Sequence, residues 1–393
     1  MDTTLNAPDN FSLLESGPVH RVLVKMNLDK DRWKLAIVLW CITWLPLAII
    51  AAIEGTMYSG TQMPFLDDVA IQLKLLVALP MLLMIGPGID QKVRLVIKYL
   101  SETLMSADES EHVLAPALRK VKNRTNSALT EVILLLIVIA ISISPAKGGV
   151  MRGEEGEARS WMFAIREGKQ VLNLAGNWGV YISIPVFQYI LIRWIWKYIV
   201  WMLILLRISR MKLDLKCTHP DQAGGLGILI LPQQYFLKIF FAISIAISGE
   251  LIAQLTNDPG SFTSIRNQGI GCIILCLFLV LLPLFFFIGK LIKTKNDGLV
   301  DLGQLGGAFS YRFDKDWLNT KPIETRVSEN VVDPSMLIDY SSIYLLLRQL
   351  RLFLFTPRDI IVMAIILFIP FIPILFIRFS VMEILQKIVG LLG

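Results

Sequence analysis

Residues 181–227, YISIPVFQYILIRWIWKYIVWMLILLRISRMKLDLKCTHPDQAGGLG, decide the fold that this sequence predicts. They begin as a long apolar helix that carries two cations, Arg193 and Lys197, within its hydrocarbon span. A charge at bilayer depth costs about 2.5–3.5 kcal/mol, so the pair costs about 5–7 kcal/mol on insertion scales. The roughly twenty apolar neighbours supply about 6–10 kcal/mol on the same scales. The helix is therefore predicted to cross a membrane despite its two charges.

The composition of the whole chain agrees with that prediction. Of 393 residues, 54% are hydrophobic and 18% are charged, whereas about a quarter of a soluble globular protein is charged. The net charge of +6 could indicate nucleic-acid binding, but the Lys and Arg residues stand in short clusters beside apolar segments. Such clusters are typical of topology signals in membrane proteins. We therefore expect a multi-pass membrane protein with no nucleic-acid partner.

Seven apolar segments are long enough, or nearly so, to cross about 30 Å of hydrocarbon. They are residues 35–53, 69–85, 129–143, 180–206, 235–255, 270–291 and 360–379. Lys and Arg cluster before the first segment and after the second, fourth and sixth, whereas residues 54–68 contain neither. Because Lys and Arg are retained in cytoplasmic loops, the N-terminus is predicted to be cytoplasmic and the C-terminus to lie outside.

The predicted fold is thus an all-α polytopic transmembrane bundle of about seven spans. Amphipathic stretches at 341–355 and 381–392 are too short or too polar to span and are predicted to lie at the membrane interface. The chain divides into a cytoplasmic segment 1–34, a six-span bundle 35–293 that includes a cytoplasmic helical loop 91–126, a cytoplasmic segment 294–359 with an amphipathic helix, and a seventh span with an interfacial helix, 360–393.

Several motifs along the chain resemble those of one family. They are WLP (44–46), EG (54–55), FLDD (65–68), LIRW (191–194), SRMKLDL (209–215), HPDQAGGLG (219–227) and YRFDKDWL (311–318). Together they resemble a widespread family of bacterial multi-pass inner-membrane proteins of about this length with an HPDxAGGLG loop. The resemblance covers most of the chain. It implies a location in the bacterial cytoplasmic membrane and implies nothing about a substrate.

The cations of the fourth span have two interpretations. Arg193 and Lys197 lie four residues apart on one helical face, among four aromatic residues at 194, 196, 198 and 201. Aromatic residues and snorkelling cations are typical of a membrane interface. Alternatively the pair faces the bundle interior, where Glu131 and Lys238 are predicted at similar depth. That electropositive inner layer would suit an anion or a lipid phosphate.

A second charged layer is predicted near the outer side, where Lys74 and Glu250 reach similar depth beside Asp67 and Asp68. We expect Lys74 and Glu250 to form an ion pair. Two charged layers separated by an apolar middle are compatible with a permeation path. They are equally compatible with salt bridges that fix the register of neighbouring helices.

The loop from His219 to Gly227 has three interpretations. His219 and Asp221 could begin a metal site, but no further ligand cluster completes it. Its glycines could let backbone amides approach a phosphate, although the sequence lacks a phosphate-binding signature. Otherwise Asp221 caps a tight turn, and Gly224, Gly225 and Gly227 provide positive φ or close helix approach. The third interpretation needs no ligand.

The leading functional hypothesis is a channel or transporter for a small ion or anionic solute. A second hypothesis is a sensor or scaffold that acts through cytoplasmic residues 294–359. The least favoured is an enzyme that uses His219 and Asp221 on a lipid phosphate. We expect no cofactor and no metal; the partners considered are the lipid bilayer, a small ion or anionic solute, and a second copy of the chain.

Overall fold

The helices of this chain are long and follow the apolar segments. The computed structural model describes residues 11–13, 21, 24–25, 31–125, 127–143, 160–166, 169–318 and 334–378. Its helices are α1 Arg32–Ile53, α2 Val69–Thr103, α3 Ala107–Thr125, α4 Ala128–Ile143, α5 Leu174–Ile208, α6 Gly227–Thr256, α7 Phe262–Phe313, α8 Pro334–Arg348 and α9 Pro357–Ile377. Two short strands, β1 Phe163–Arg166 and β2 Lys169–Leu172, form an antiparallel hairpin between α4 and α5.

Six helices (α1, α2, α5, α6, α7 and α9) are long and apolar enough to cross a membrane. Helices α3 and α4, which meet at an angle of 51°, form a seventh candidate if they are counted as one broken span. The prediction of an all-α polytopic bundle is therefore confirmed. The protein is a multi-pass membrane protein.

Two helices continue beyond the predicted ends of their spans. Helix α2 has 35 residues and α7 has 52. At 1.5 Å per residue they are about 52 and 78 Å long, against a hydrocarbon core of about 30 Å. The change from apolar to charged sequence therefore ends the apolar span, but helical structure continues: it resumes at Gly86 after a bend at Ile85, and it runs on without a break after residue 291. Residues 86–103 and 107–125 are helical, as predicted for the loop 91–126; residue 126 lies outside the described residues.

Of the two predicted interfacial segments, only the first lies within the described residues, and it is helical only in part. Helix α8 covers only the first half of 341–355, and residues 349–355 that follow it are not helical. Tyr340 of α8 donates its hydroxyl hydrogen to the Leu302 carbonyl, so α8 packs on α7. The predicted interfacial helix at 381–392 and the end of the seventh span at residue 379 lie outside the described residues.

Aromatic side chains of α5 and α6 form the centre of the core. Phe236 on α6 is fully buried, and its ring centroid lies 5.2 Å from that of Tyr198 on α5. Tyr198 also contacts Phe240, with 5.1 Å between ring centroids. Edge-to-face pairs of this kind contribute about 0.5–1.5 kcal/mol beyond the burial of their area. Helix α5 is thereby fixed on α6, which leaves the other face of α5 to α1, α2 and α4.

Each of three span prolines lies in or beside an irregular helical turn. Proline lacks an N–H, so it cannot continue the regular ladder of helical hydrogen bonds. Wide π-type turns Leu73–Ala78 and Gly179–Ser183 precede Pro80 and Pro185, and Pro283 lies in the tight 3₁₀ turn Leu282–Phe287. Of these prolines, Pro185 borders the cavity described below.

The hairpin β1–β2 was not predicted from the sequence. Phe163 pairs with Leu172 and Arg166 with Lys169. The preceding Trp161 is fully buried, stacks edge-on against Phe65 and donates its indole hydrogen to Asp68. Strands of four residues with charged ends lack a clear alternation of apolar and polar residues. Their position depends instead on Trp161, which fixes them to the connection between α1 and α2.

We expect Gly249→Ala to destabilise the protein, because α6 approaches α2 closely at Gly249. A Cβ at Gly249 would lie 2.9 Å from the Ala70 Cα, a backbone atom that cannot move alone. Overpacking of this kind costs about 1–3 kcal/mol. Thermal unfolding in detergent measures the change, and Gly271→Ala on α7 is the matched control because nothing lies within 4 Å of its added Cβ. Equal midpoints for the two variants would contradict the close approach.

Candidate functional site

A cavity of about 700 Å³ lies between α1, α2, α4 and α5. Most of its wall consists of aliphatic side chains. Three cations, Arg32, Arg193 and Lys197, also line it, and none of the described residues that line it is acidic. Lys197 interacts electrostatically with Arg193 and Arg32, and also with the acids Asp90 and Glu131, which do not line the cavity. The lining of the cavity is therefore cationic near Lys197 and mostly apolar elsewhere, with Ser142, Tyr181 and Tyr189 as its other polar residues.

Arg193 is held by α4 and by its own helix. Its Nε lies 3.3 Å from Oε1 of Glu131, and the Arg193 and Glu131 side chains are only 16% and 13% exposed. Tyr189, one helical turn away, donates its hydroxyl hydrogen to the other oxygen of Glu131. These contacts cover Arg193 with protein, which is the second of the two interpretations drawn from the sequence. The pair also fixes α4, which is short for a span, against α5.

Lys197 is the most deeply buried cation of the cavity, at 5% exposure. Its Nζ lies 5.0 Å from the centroid of the Trp194 ring. Trp194 is fixed in turn, because its indole N–H donates to the Leu82 carbonyl at 2.8 Å. Within the described part of the chain, no carboxylate lies within ion-pair distance of Lys197. A ring contact recovers about 2 kcal/mol when desolvated, which is less than the several kcal/mol that burying an ammonium costs.

The other predicted site residues lie elsewhere. Lys238 is exposed on α6, with its Nζ 4.5 Å from the centroid of the Tyr235 ring, and it does not line the cavity. Lys74 forms an ion pair with Glu250, whose side chain is 59% exposed. Neither of these two lines the cavity. The structure thus brings Glu131, Arg193 and Lys197 together. It places Lys238 and the Lys74–Glu250 pair away from the cavity. A permeation path through both charged layers therefore remains a prediction.

Sequence reasoning missed Arg32 and Tyr189 as site residues. Arg32 was counted only as one of the cations that set the topology. It is the first residue of α1, so it lies at the same predicted inner depth as the end of the α5 span, which is a signal that could have identified it. Tyr189 carries no such signal, because an aromatic residue in an apolar helix is most often a packing residue.

In the loop 219–227, the backbone folds around the Asp221 carboxylate. Oδ1 accepts hydrogen bonds from the amides of Ala223 and Gly225 at 2.8 and 3.1 Å, and Oδ2 accepts one from Gly227 at 2.9 Å. Nδ1 of His219 lies 2.8 Å from Oδ1. The amide N–H groups that a bound phosphate would need therefore already donate their hydrogen bonds to Asp221. This geometry favours the interpretation of the loop as a capped turn.

The glycines of this loop have the roles expected of that turn. Gly224 and Gly225 have φ of 65° and 94°, values that other residues rarely adopt. Gly227 is needed for space, since an added Cβ would lie 3.0 Å from Oδ2 of Asp221. Burial alone would raise the pKa of Asp221, but the hydrogen bonds from the three amides and His219 outweigh it and hold that pKa below its usual value.

The loop also joins parts of the chain that are distant in sequence. Arg351, which follows α8, donates its backbone N–H to the Gln222 carbonyl at 2.8 Å and its guanidinium Nη2 to the Asp221 carbonyl at 2.9 Å. Nearby, the Asp214 amide donates to the Leu104 carbonyl at the end of α2. Asp221 thus stabilises a junction between α2, α5, α6 and the residues after α8.

Fold and site together define the class of protein: a helical multi-pass membrane protein with a cationic cavity inside its bundle. No protein-family model matches the chain, and neither a curated protein nor a solved structure does.

Proposed function

We propose that this protein transports an anionic solute across the membrane, and that the solute binds at Arg32, Arg193 and Lys197. The observation that supports the proposal is the burial of Lys197 in a cavity that has three cations and no acid among its described lining residues. Glu131 compensates the charge of Arg193 from the side of α4. Lys197 has no carboxylate partner among the described residues, so an incoming anion would stabilise its ammonium form.

The physical reason is the low dielectric constant of the bundle. A buried ammonium without a carboxylate loses hydration that a ring contact replaces only in part. An anion that enters the cavity restores that stabilisation, and its attraction to the Lys197 ammonium is stronger there than in water. Charged residues inside a membrane bundle are therefore typical of solute and ion pathways.

We further propose a bacterial cytoplasmic membrane as the location, on the basis of the motifs that resemble a bacterial family and of the positive charge at predicted cytoplasmic loops. In that orientation the cationic end of the cavity lies toward the cytoplasm. This location could be checked by fractionating a bacterium that expresses the protein.

Lys197→Gln is expected to lower anion flux about tenfold or more. A hydrogen bond to a charged group contributes about 1.5–3 kcal/mol, which corresponds to roughly a 10- to 100-fold change in affinity. Purified protein in liposomes would be tested with chloride, inorganic phosphate and acetate under voltage, pH and ion gradients. Lys238→Gln is the matched control, because it removes the same charge from an exposed site on α6. No flux of any anion under any gradient would contradict transport.

A second candidate is a sensor or scaffold, and one observation favours it. Beyond the predicted end of its span, α7 exposes Val300 and Leu305, and the neighbouring α8 exposes Ile338 and Leu345. Exposed apolar side chains on two neighbouring helices in a predicted cytoplasmic segment would suit an interaction surface. This candidate would be favoured if a soluble protein bound the full chain, if Leu305→Asp abolished that binding, and if no anion flux were found.

The enzyme hypothesis finds less support in the geometry. The Asp221 carboxylate already accepts three amide hydrogen bonds, and His219 points at it. Both side chains therefore have a structural role that leaves little capacity for proton transfer to a substrate. The enzyme hypothesis would be favoured if the protein hydrolysed a lipid phosphate and if His219→Ala abolished that activity while the protein stayed folded.

A further inference from the structure

We infer that the cavity binds an anionic phospholipid of the cytoplasmic leaflet, with its phosphate among Arg32, Arg193 and Lys197 and its acyl chain along the apolar wall. This inference rests on the anion site proposed above and names the class of ligand that fits it.

The first argument is the shape of the cavity. Along α5 the lining extends from Val180 to Lys197. Seventeen steps of 1.5 Å make that length about 25 Å. The part from Val180 to Ile190, which precedes the cations, is about 15 Å long. Half of a hydrocarbon core of about 30 Å has the same length, so the apolar part matches the depth of one leaflet.

The second argument is the chemistry of the wall. Behind the cations the cavity is lined by aliphatic side chains from four helices, among them Leu39, Leu82, Val138 and Val186. A small hydrated anion gains nothing from such a wall, because it would lose its water without receiving hydrogen bonds. A ligand with an acyl chain buries apolar surface there, which stabilises the complex through the hydrophobic effect. An amphiphile therefore uses both ends of the cavity.

The third argument is the position of the mouth. Tyr181, Leu135 and Ile139 line the cavity and are 70%, 50% and 43% exposed on the outside of the bundle. They belong to predicted spans, so a bilayer would cover the surface on which the cavity opens. A ligand that enters between α4 and α5 would come from the hydrocarbon. A phospholipid is the abundant anion that is already there.

The fourth argument is orientation. Arg32 begins α1 at the predicted cytoplasmic side and lines the cavity together with Arg193 and Lys197, which places the cationic part of the cavity near that side. A lipid of the cytoplasmic leaflet has its phosphate at that depth and its chains toward the middle of the bilayer. It would therefore bind without being inverted. Arg is suited to bidentate contact with phosphate, and Lys adds a point charge.

The test is retention of lipid by the full-length protein. The protein would be reconstituted in nanodiscs that contain equal amounts of phosphatidylglycerol and phosphatidylcholine, released into a nonionic detergent and examined by native mass spectrometry. We expect the wild type to retain phosphatidylglycerol. Lys197→Gln is expected to lower that retention about tenfold or more, and Lys238→Gln is expected to leave it unchanged.

A second pair of variants tests the apolar wall without a change in charge. Val186→Trp fills the cavity, whereas Ile195→Trp adds the same ring at an exposed position of α5 that does not line it. We expect only Val186→Trp to lower retention of phosphatidylglycerol. This pair still decides the question if Lys197→Gln fails to fold.

The outcomes separate the inference from the proposed function. Anion flux that depends on Lys197, together with lipid retention that neither variant changes, would keep the transport proposal and overturn the lipid. Lipid retention that requires Lys197 and an open wall, with no flux, would support the lipid and overturn transport. Equal retention of both lipids, or preferential displacement of phosphatidylglycerol by oleate, would also overturn the phospholipid assignment.

Discussion

Asp221→Ala is expected to lower the free energy of unfolding by about 3–5 kcal/mol. The substitution leaves the amides of Ala223, Gly225 and Gly227 without the carboxylate that now accepts their hydrogen bonds. Each hydrogen bond to a charged group contributes about 1.5–3 kcal/mol, and partial access of water to the loop reduces the sum. The loss of stability should exceed that caused by removing any exposed ion pair, because the Asp221 carboxylate fixes the backbone conformation of the loop at this junction.

Thermal unfolding in detergent, followed by tryptophan fluorescence, would measure this loss. Asp214→Ala is the matched control, since its carboxylate is exposed and, among the residues that the structure describes, bonds to Lys216 alone. An exposed pair contributes about 0–1 kcal/mol. Similar unfolding midpoints for the two variants would show that the loop is not stabilised by the Asp221 carboxylate.

The same contribution should depend on pH in a defined direction. Because the pKa of Asp221 is below its usual value in the folded protein, its stabilising effect is fully present above the unfolded pKa of about 3.9. It is lost as the pH falls through the lower folded pKa, where both states bind the proton. The difference in midpoint between the wild type and Asp221→Asn should therefore shrink below about pH 4. A difference that grows in acid would contradict this sign.

Glu131→Ala is expected to destabilise the protein by about 3–5 kcal/mol. Its carboxylate lies 3.3 Å from Arg193 and also accepts the Tyr189 hydroxyl hydrogen, and both charged side chains are largely covered. Removing one partner of a buried pair leaves the other charge without its main compensation. Glu102→Ala is the control, because Glu102 pairs with Lys98 on an exposed face of α2. Equal unfolding midpoints for the two variants would contradict the prediction.

Adding Arg193→Met to Glu131→Ala should recover part of the lost stability. A neutral side chain needs no counter-charge, and apolar replacements of a buried pair are often neutral or stabilising. A double-mutant cycle on the two positions measures the coupling between them, which we expect to exceed 1 kcal/mol by the usual range for residues in contact. A coupling near zero would mean that the pair does not fix α4 on α5.

The sequence predicted most of the spans and part of the site. The apolar segments at 35–53, 180–206 and 235–255 all lie within membrane-length helices, and the pairing of Lys74 with Glu250 appears in the structure. Depth along the helices was sufficient for those statements, since it follows from counting residues at 1.5 Å each. Depth also suggested that Lys238 belongs beside Arg193, yet Lys238 faces another surface.

By itself the sequence determined that this protein resides in a membrane, which segments, with the exception of 129–143, are long and apolar enough to cross it, and where the turn-forming loop lies. These properties depend on the local sum of transfer free energies and on local backbone preferences, and both are read from neighbouring residues. Only the tertiary structure decided which charges share a space. Arg32 and Lys197 are separated by most of the first half of the chain, and their meeting depends on the rotation of α1 and α5 about their axes. That rotation is set by how whole helix surfaces pack, including the Trp194 contact with Leu82 and the Tyr198 contacts with α6.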